Sequence, residues 1–138
     1  MIEVIDASVA IKWFVRRGER GLRAADAVRV RLLRRPDDYA APLLFIYEVH
    51  AALCQRLADK ARIDGCMEVL FALGVHLVRP DRALLAAASQ LARAHRLTGY
   101  DAAYVAVARH LRGRWLTFDA PACRRLSSTR LARLLPLD

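Results

Sequence analysis

The sequence predicts an α/β fold in which a mostly parallel sheet is covered by helices on both faces. Four short β-branched or aromatic runs, Ile2–Ile5, Tyr39–Ala41, Val75–Val78 and Trp115–Phe118, alternate with segments of helical periodicity. Two of these runs end in an aspartate, Asp6 and Asp119, at the carboxyl ends of strands, where sites form in such sheets. The chain of 138 residues has the length of a single domain, and one of this size buries roughly two-thirds of its unfolded surface.

Each element has a local reason. Ile2–Ile5 reads as a buried strand, and Ser8 is placed to cap a short apolar turn over Val9–Val15. Glu19–Arg35 presents Leu22, Ala25, Val28 and Leu32 on one helical face and stops at Pro36. After Tyr39–Ala41, Pro42 suits the first turn of a helix running to about Lys60, because its missing N–H costs nothing there. Ile63–Leu73 is a further helix ended by Gly74, Val75–Val78 a strand stopped by Pro80, and Asp81 a cap for Arg82–Arg96. Asp101–Leu111, rich in alanine and valine, reads as a largely buried helix closed by Gly113. Trp115–Phe118 and a short helix over Ala120–Leu126 follow, and Leu131–Leu135 fits either a final edge strand or a helix.

Composition removes several classes. The longest charge-free stretches are too short to span a bilayer, and the start MIEVIDAS lacks the basic region of a signal peptide, so the expected location is cytoplasmic. Cys54, Cys66 and Cys123 form no CxxC pair and are expected to be reduced and mostly buried, and the four histidines have no metal-ligand spacing. The six glycines make neither a dinucleotide-binding nor a Walker A motif. An aspartyl-nucleophile phosphatase would favour a second acid two residues after Asp6, where Ser8 stands. The formal charge of +9, from 21 arginines and two lysines, favours a polyanionic partner such as nucleic acid.

Four acids lie in otherwise apolar surroundings: Asp6, Glu48, Asp101 and Asp119. Taken singly, each has an ordinary explanation. Asp6 and Asp119 could cap the turns that follow them, Asp101 could cap its helix, and Glu48 could pair with Arg56. Taken jointly, strand ends and the early turns of helices would bring all four to one mouth, where like charges raise one another's pKa unless divalent cations neutralise them. Carboxylate oxygens suit Mg2+ or Mn2+, and two such ions can support phosphodiester hydrolysis.

The segments VIDASVAIKWF from Val4, APLLFIYEVHAAL from Ala41, LTGYDAAYVAVA from Leu97 and LTFDA from Leu116 span nearly the whole chain. In their order and spacing, the chain resembles PIN-domain proteins of the VapC type, the ribonuclease toxins of bacterial toxin-antitoxin systems. The resemblance implies a three-layer α/β/α fold and a metal-dependent endoribonuclease. Asp6, Glu48, Asp101 and Asp119 would be its successive acidic ligands for Mg2+ or Mn2+, with the hydroxyls of Ser8 and Thr117 supporting them. Tyr104, in the DAAY stretch, is read as packing. Many relatives carry a further acid just after the fourth, whereas here APACRRLSS follows Asp119. That departure points to one tightly held ion and one recruited with substrate.

With the four acids set aside, ten acidic residues remain against 23 basic ones, so the field around the mouth is positive. Arg16, Arg17 and Arg20 follow the first segment, and Arg124 and Arg125 follow the last. These are the expected contacts to an RNA backbone. The resemblance further implies a homodimer and a small antitoxin. The antitoxin's apolar helix would cover grooves near Val9–Leu33 and Leu43–Leu57, and its basic tail would quench the site. The competing class is a noncatalytic PIN-like module that binds RNA or protein.

Overall fold

The computed structural model describes residues 1–138. Five strands, β1 (Glu3–Ile5), β2 (Tyr39–Pro42), β3 (His76–Val78), β4 (Arg114–Thr117) and β5 (Ala132–Leu134), form one sheet in the order β3-β2-β1-β4-β5. Every pairing is parallel, with Val4 opposite Ala40 on one side and Trp115 on the other. Seven helices connect the strands: α1 (Ala7–Phe14), α2 (Leu22–Arg34), α3 (Leu44–Arg56), α4 (Lys60–Ala72), α5 (Arg82–His95), α6 (Gly99–His110) and α7 (Ala120–Arg125). The chain steps from β1 to β2 to β3 in one direction, then crosses back through α5 and α6 to β4. Right-handed crossovers therefore place helices on opposite faces, giving three α/β/α layers. The final segment, open between strand and helix in the sequence, is the edge strand β5.

The core is one cluster of 31 buried hydrophobic residues, with Val4 and Ile5 of β1 and Trp115 and Leu116 of β4 fully enclosed. Contact with the sheet sets some spacings closely. A Cβ on Gly113 would stand 2.0 Å from the Ile2 carbonyl oxygen, so only glycine lets the chain enter β4 here. At Gly21, φ is +77° and a Cβ would meet Phe118 Cε1 at 2.6 Å. This constrained turn delays α2 to Leu22, three residues after the predicted start at Glu19.

Several local expectations are corrected. Asp6, not Ser8, caps the first helix: its carboxylate accepts the Ser8 N–H at 3.2 Å, so the helix begins two residues earlier. Pro42 ends β2 instead of opening a helix, at a point where no further donor is needed, and the next N–H, of Leu43, reaches Val78 O at 2.9 Å. Asp59 caps α4 through the Ala61 N–H, so α3 stops at Arg56, before Lys60, and α4 starts ahead of Ile63. Thr98 caps α6 through the Asp101 N–H at 3.1 Å, which puts Asp101 inside the first turn and not before it. The three cysteines are free as expected, but they are not mostly buried. Cys54 is exposed beside His50, while Cys66 and Cys123 are partly covered.

Candidate active site

The four acids reach the carboxyl edge of the sheet from four directions. Asp6 follows β1 and Asp119 follows β4, the two central neighbours of the switch point where the crossovers diverge. Glu48 projects from the second turn of α3 and Asp101 from the first turn of α6, where the helix dipole favours a carboxylate. Asp119 is exposed and caps α7, its Oδ1 accepting the Ala122 N–H at 3.0 Å. The ion pair considered for Glu48 does not form, because Arg56 turns to Glu19 at 3.5 Å.

Asp6 is the most heavily engaged of the four. Its Oδ1 accepts the Trp115 indole N–H at 3.2 Å, and its Oδ2 accepts the Thr117 hydroxyl and the Ser8 N–H, both at 3.2 Å. Thr117, fully buried, in turn accepts the Asp119 N–H at 3.1 Å, so one hydroxyl links the first and fourth acids. The Ser8 hydroxyl accepts the Phe118 N–H at a long 3.5 Å and also stabilises the charged form of Asp6. Glu48 accepts a hydrogen bond from the Tyr104 hydroxyl at 2.7 Å. Tyr104 therefore packs, as expected, and also donates.

Burial is the largest cause of the raised pKa of Asp6, Glu48 and Asp101. Charge adds to it: Glu48 feels Asp6 and Asp101, and Asp101 feels Asp6 and Asp119. The same burial and the same carboxylates hold the Tyr104 phenol far above its ordinary range, so it remains a donor. The four acids thus share one negative field. No three of them stand in a ready coordination arrangement, with or without a histidine or cysteine. Their oxygens are nonetheless the hard donors that a divalent cation of the Mg2+ or Mn2+ kind prefers, and a cation would relieve the repulsion.

The candidate arginines divide. Arg125 lies near enough to lower the Asp101 pKa and is the one whose charge registers in the mouth. Arg124 is exposed on the same short helix. Arg16 is held by Asp26 in a two-pronged pair at 2.8 Å, so its charge is already matched, whereas Arg17 and Arg20 are exposed and make no ion pair. Sequence reasoning missed Trp115. Its spacing of two from Thr117 on one strand, which puts both side chains on the same face, was the available signal.

The PIN domain family model matches residues 4–125, and the chain belongs to this family. Among solved structures, it is similar to PAE2754 from Pyrobaculum aerophilum, with a TM-score of 0.71, 22% identity, and coverage of 98% of this chain and 90% of that one. A toxin-antitoxin complex from Klebsiella pneumoniae gives a TM-score of 0.70 at 14% identity, covering 99% of both chains. VapBC-1 from nontypeable Haemophilus influenzae gives 0.64 at 10% identity, covering 98% of both. At these identities the likeness is one of fold. No curated protein sequence matches the chain.

Proposed function

We propose that this single PIN domain is a divalent-metal-dependent endoribonuclease and the toxin component of a type II toxin-antitoxin system. The observation that carries the proposal is the shared field of Asp6, Glu48, Asp101 and Asp119, four carboxylates from four elements at the switch point of a strongly basic chain. PIN domains are generally nucleases, and similar solved structures include toxin-antitoxin complexes.

These four acids would hold Mg2+ or Mn2+, which when bound would activate water and offset the charge that builds on the phosphate. The protein's own groups prepare the rest. Thr117, Trp115 and the Ser8 N–H fix the Asp6 carboxylate, and Tyr104 fixes one oxygen of Glu48. Arg17, Arg20, Arg124 and Arg125 would draw the RNA backbone toward the mouth. Hydrolysis without use of the ribose 2′-hydroxyl leaves a 5′ phosphate and a 3′ hydroxyl.

Exposed Val30 and Leu33 on α2 support an apolar antitoxin helix as partner. An apolar groove of about 530 Å³, lined in part by exposed Tyr47, Leu85 and Tyr100, supports a second copy of the chain in a homodimer. No helix is long and apolar enough to cross a membrane; the proposed site of action is the cytoplasm.

The test is cleavage of RNA by the purified protein with Mg2+ or Mn2+, compared with the same reaction in EDTA and with Asp101→Asn. Cleavage should stop in chelator and fall to near background in the folded variant. Activity persisting in both, or products with cyclic phosphate ends, would overturn the proposal.

A further inference from the structure

Two buried aromatic side chains each donate one hydrogen bond to a different acid of the candidate site. Tyr104, on α6, gives its hydroxyl to Glu48 Oε1 at 2.7 Å, and Trp115, on β4, gives its indole N–H to Asp6 Oδ1 at 3.2 Å. The two rings stack, with centroids 5.9 Å apart and planes inclined by 27°. Both are essentially excluded from solvent, at 1% and 0% exposure, so neither ring can swing away without opening the core. The two acids they hold come from elements far apart in sequence, and the stacked pair is the physical bridge between them.

Resting on the metal-dependent reading above, we propose that Tyr104 and Trp115 form one positioning unit that aims Glu48 and Asp6 at a common cation. A carboxylate offers about four lone-pair sites. On Asp6, three are taken by Trp115, Thr117 and the Ser8 N–H, and the Ser8 hydroxyl also bears on the carboxylate, so at most about one is left for a ligand. On Glu48 only Oε1 is engaged, and Oε2 is free. The aromatic donors thus select which oxygen of each acid turns to the mouth. Donors of this kind to metal-ligating groups change metal affinity by about 10- to 100-fold when removed. Because the two donors sit on rings in contact and orient acids for one cation, their effects are coupled and should not multiply independently.

Tyr104→Phe keeps the ring and removes the hydroxyl; Trp115→Phe keeps an aromatic and removes the N–H. Mn2+ binding to the full chain, measured by calorimetry, should weaken about 10-fold or more in each, and the double variant should fall short of the product of the two losses. A melting curve for each variant reports folding separately. In Trp13→Phe, where Trp115 is the one tryptophan left, Mg2+ should also shift the emission, which gives a signature independent of any change at Tyr104 or Trp115. Variants that bind Mn2+ like the parent, or a Trp115 emission indifferent to Mg2+ that demonstrably binds, would overturn the positioning role and leave the metal site standing. A parent chain that binds neither ion would instead overturn the metal-dependent function, and the positioning role with it.

Discussion

Thr117→Val deletes one oxygen from the middle of the site while keeping the shape of the side chain. The residue is fully buried, donates to Asp6 Oδ2 at 3.2 Å and accepts the Asp119 N–H at 3.1 Å. A hydrogen bond to a charged acceptor contributes about 1.5–3 kcal/mol, and a neutral one about 1 kcal/mol. Asp6 Oδ2 keeps the Ser8 N–H, which lowers the first figure, and valine's preference for strands returns a few tenths of a kcal/mol. The net expectation is a loss of about 2–3 kcal/mol, which for a chain of this size lowers Tm by roughly 6–12 °C. Thermal and urea unfolding, with the urea slope checked for constancy, measure it. Thr117→Ser is the informative partner, because it keeps the hydroxyl and loses only a methyl group. If the hydroxyl link dominates, serine will be the more stable variant; if packing dominates, valine will be. A valine variant melting within about 1 °C of the parent, or above the serine variant, would refute a hydroxyl link between the two acids.

Three further outcomes follow from the geometry. Asp6, Glu48 and Asp101 have folded pKa values raised above their unfolded ones, so their contribution to stability is fully present below the unfolded value, about pH 4, and is lost as pH rises through the folded value. Chelated protein should accordingly show a melting temperature penalised toward neutral pH, and Mg2+ should raise that temperature more near pH 7 than near about pH 5. Gly113→Ala should cost about 2–3 kcal/mol in denaturant unfolding, since the new methyl meets the Ile2 carbonyl oxygen at 2.0 Å and backbone must move. Replacing Arg124 and Arg125 by glutamine should weaken RNA association and reduce the slope of log affinity against log salt by about one to two, as fluorescence anisotropy would show.

What the sequence made legible was whatever a local pattern controls. Asp6 and Asp119 stood out because a charged residue directly after an enclosed strand needs a reason, and Asp81 was readable as a cap because the apolar periodicity begins immediately after it. Boundaries failed where two caps competed within three positions, as with Asp6 against Ser8 and Thr98 against Asp101; choosing between them depends on backbone geometry. The donors from Tyr104 and Trp115 were out of reach for a different reason. Their acceptors lie 56 and 109 residues away, and only the order of the strands brings them together. Cys54 came out exposed because α3 buries Phe45, Val49 and Leu53, a stripe that leaves the adjoining position 54 facing outward.

The pairing of β1 with β4, Glu3 opposite Arg114, has a temporal consequence. A ribosome makes the first strand of the central pair at the start of synthesis and its neighbour only when most of the chain has emerged. Until then β1 has β2 on one side but an open edge on the other, and Asp6 lacks both Trp115 and Thr117. The contact that completes the mouth is among the longest-range in the molecule, and such contacts form late because closing the intervening loop is entropically costly. A growing chain that has not yet released Asp119 therefore holds only part of the acidic set. Assembly of the site therefore waits on the pairing of the first strand with the fourth, and so on nearly the whole length of the chain.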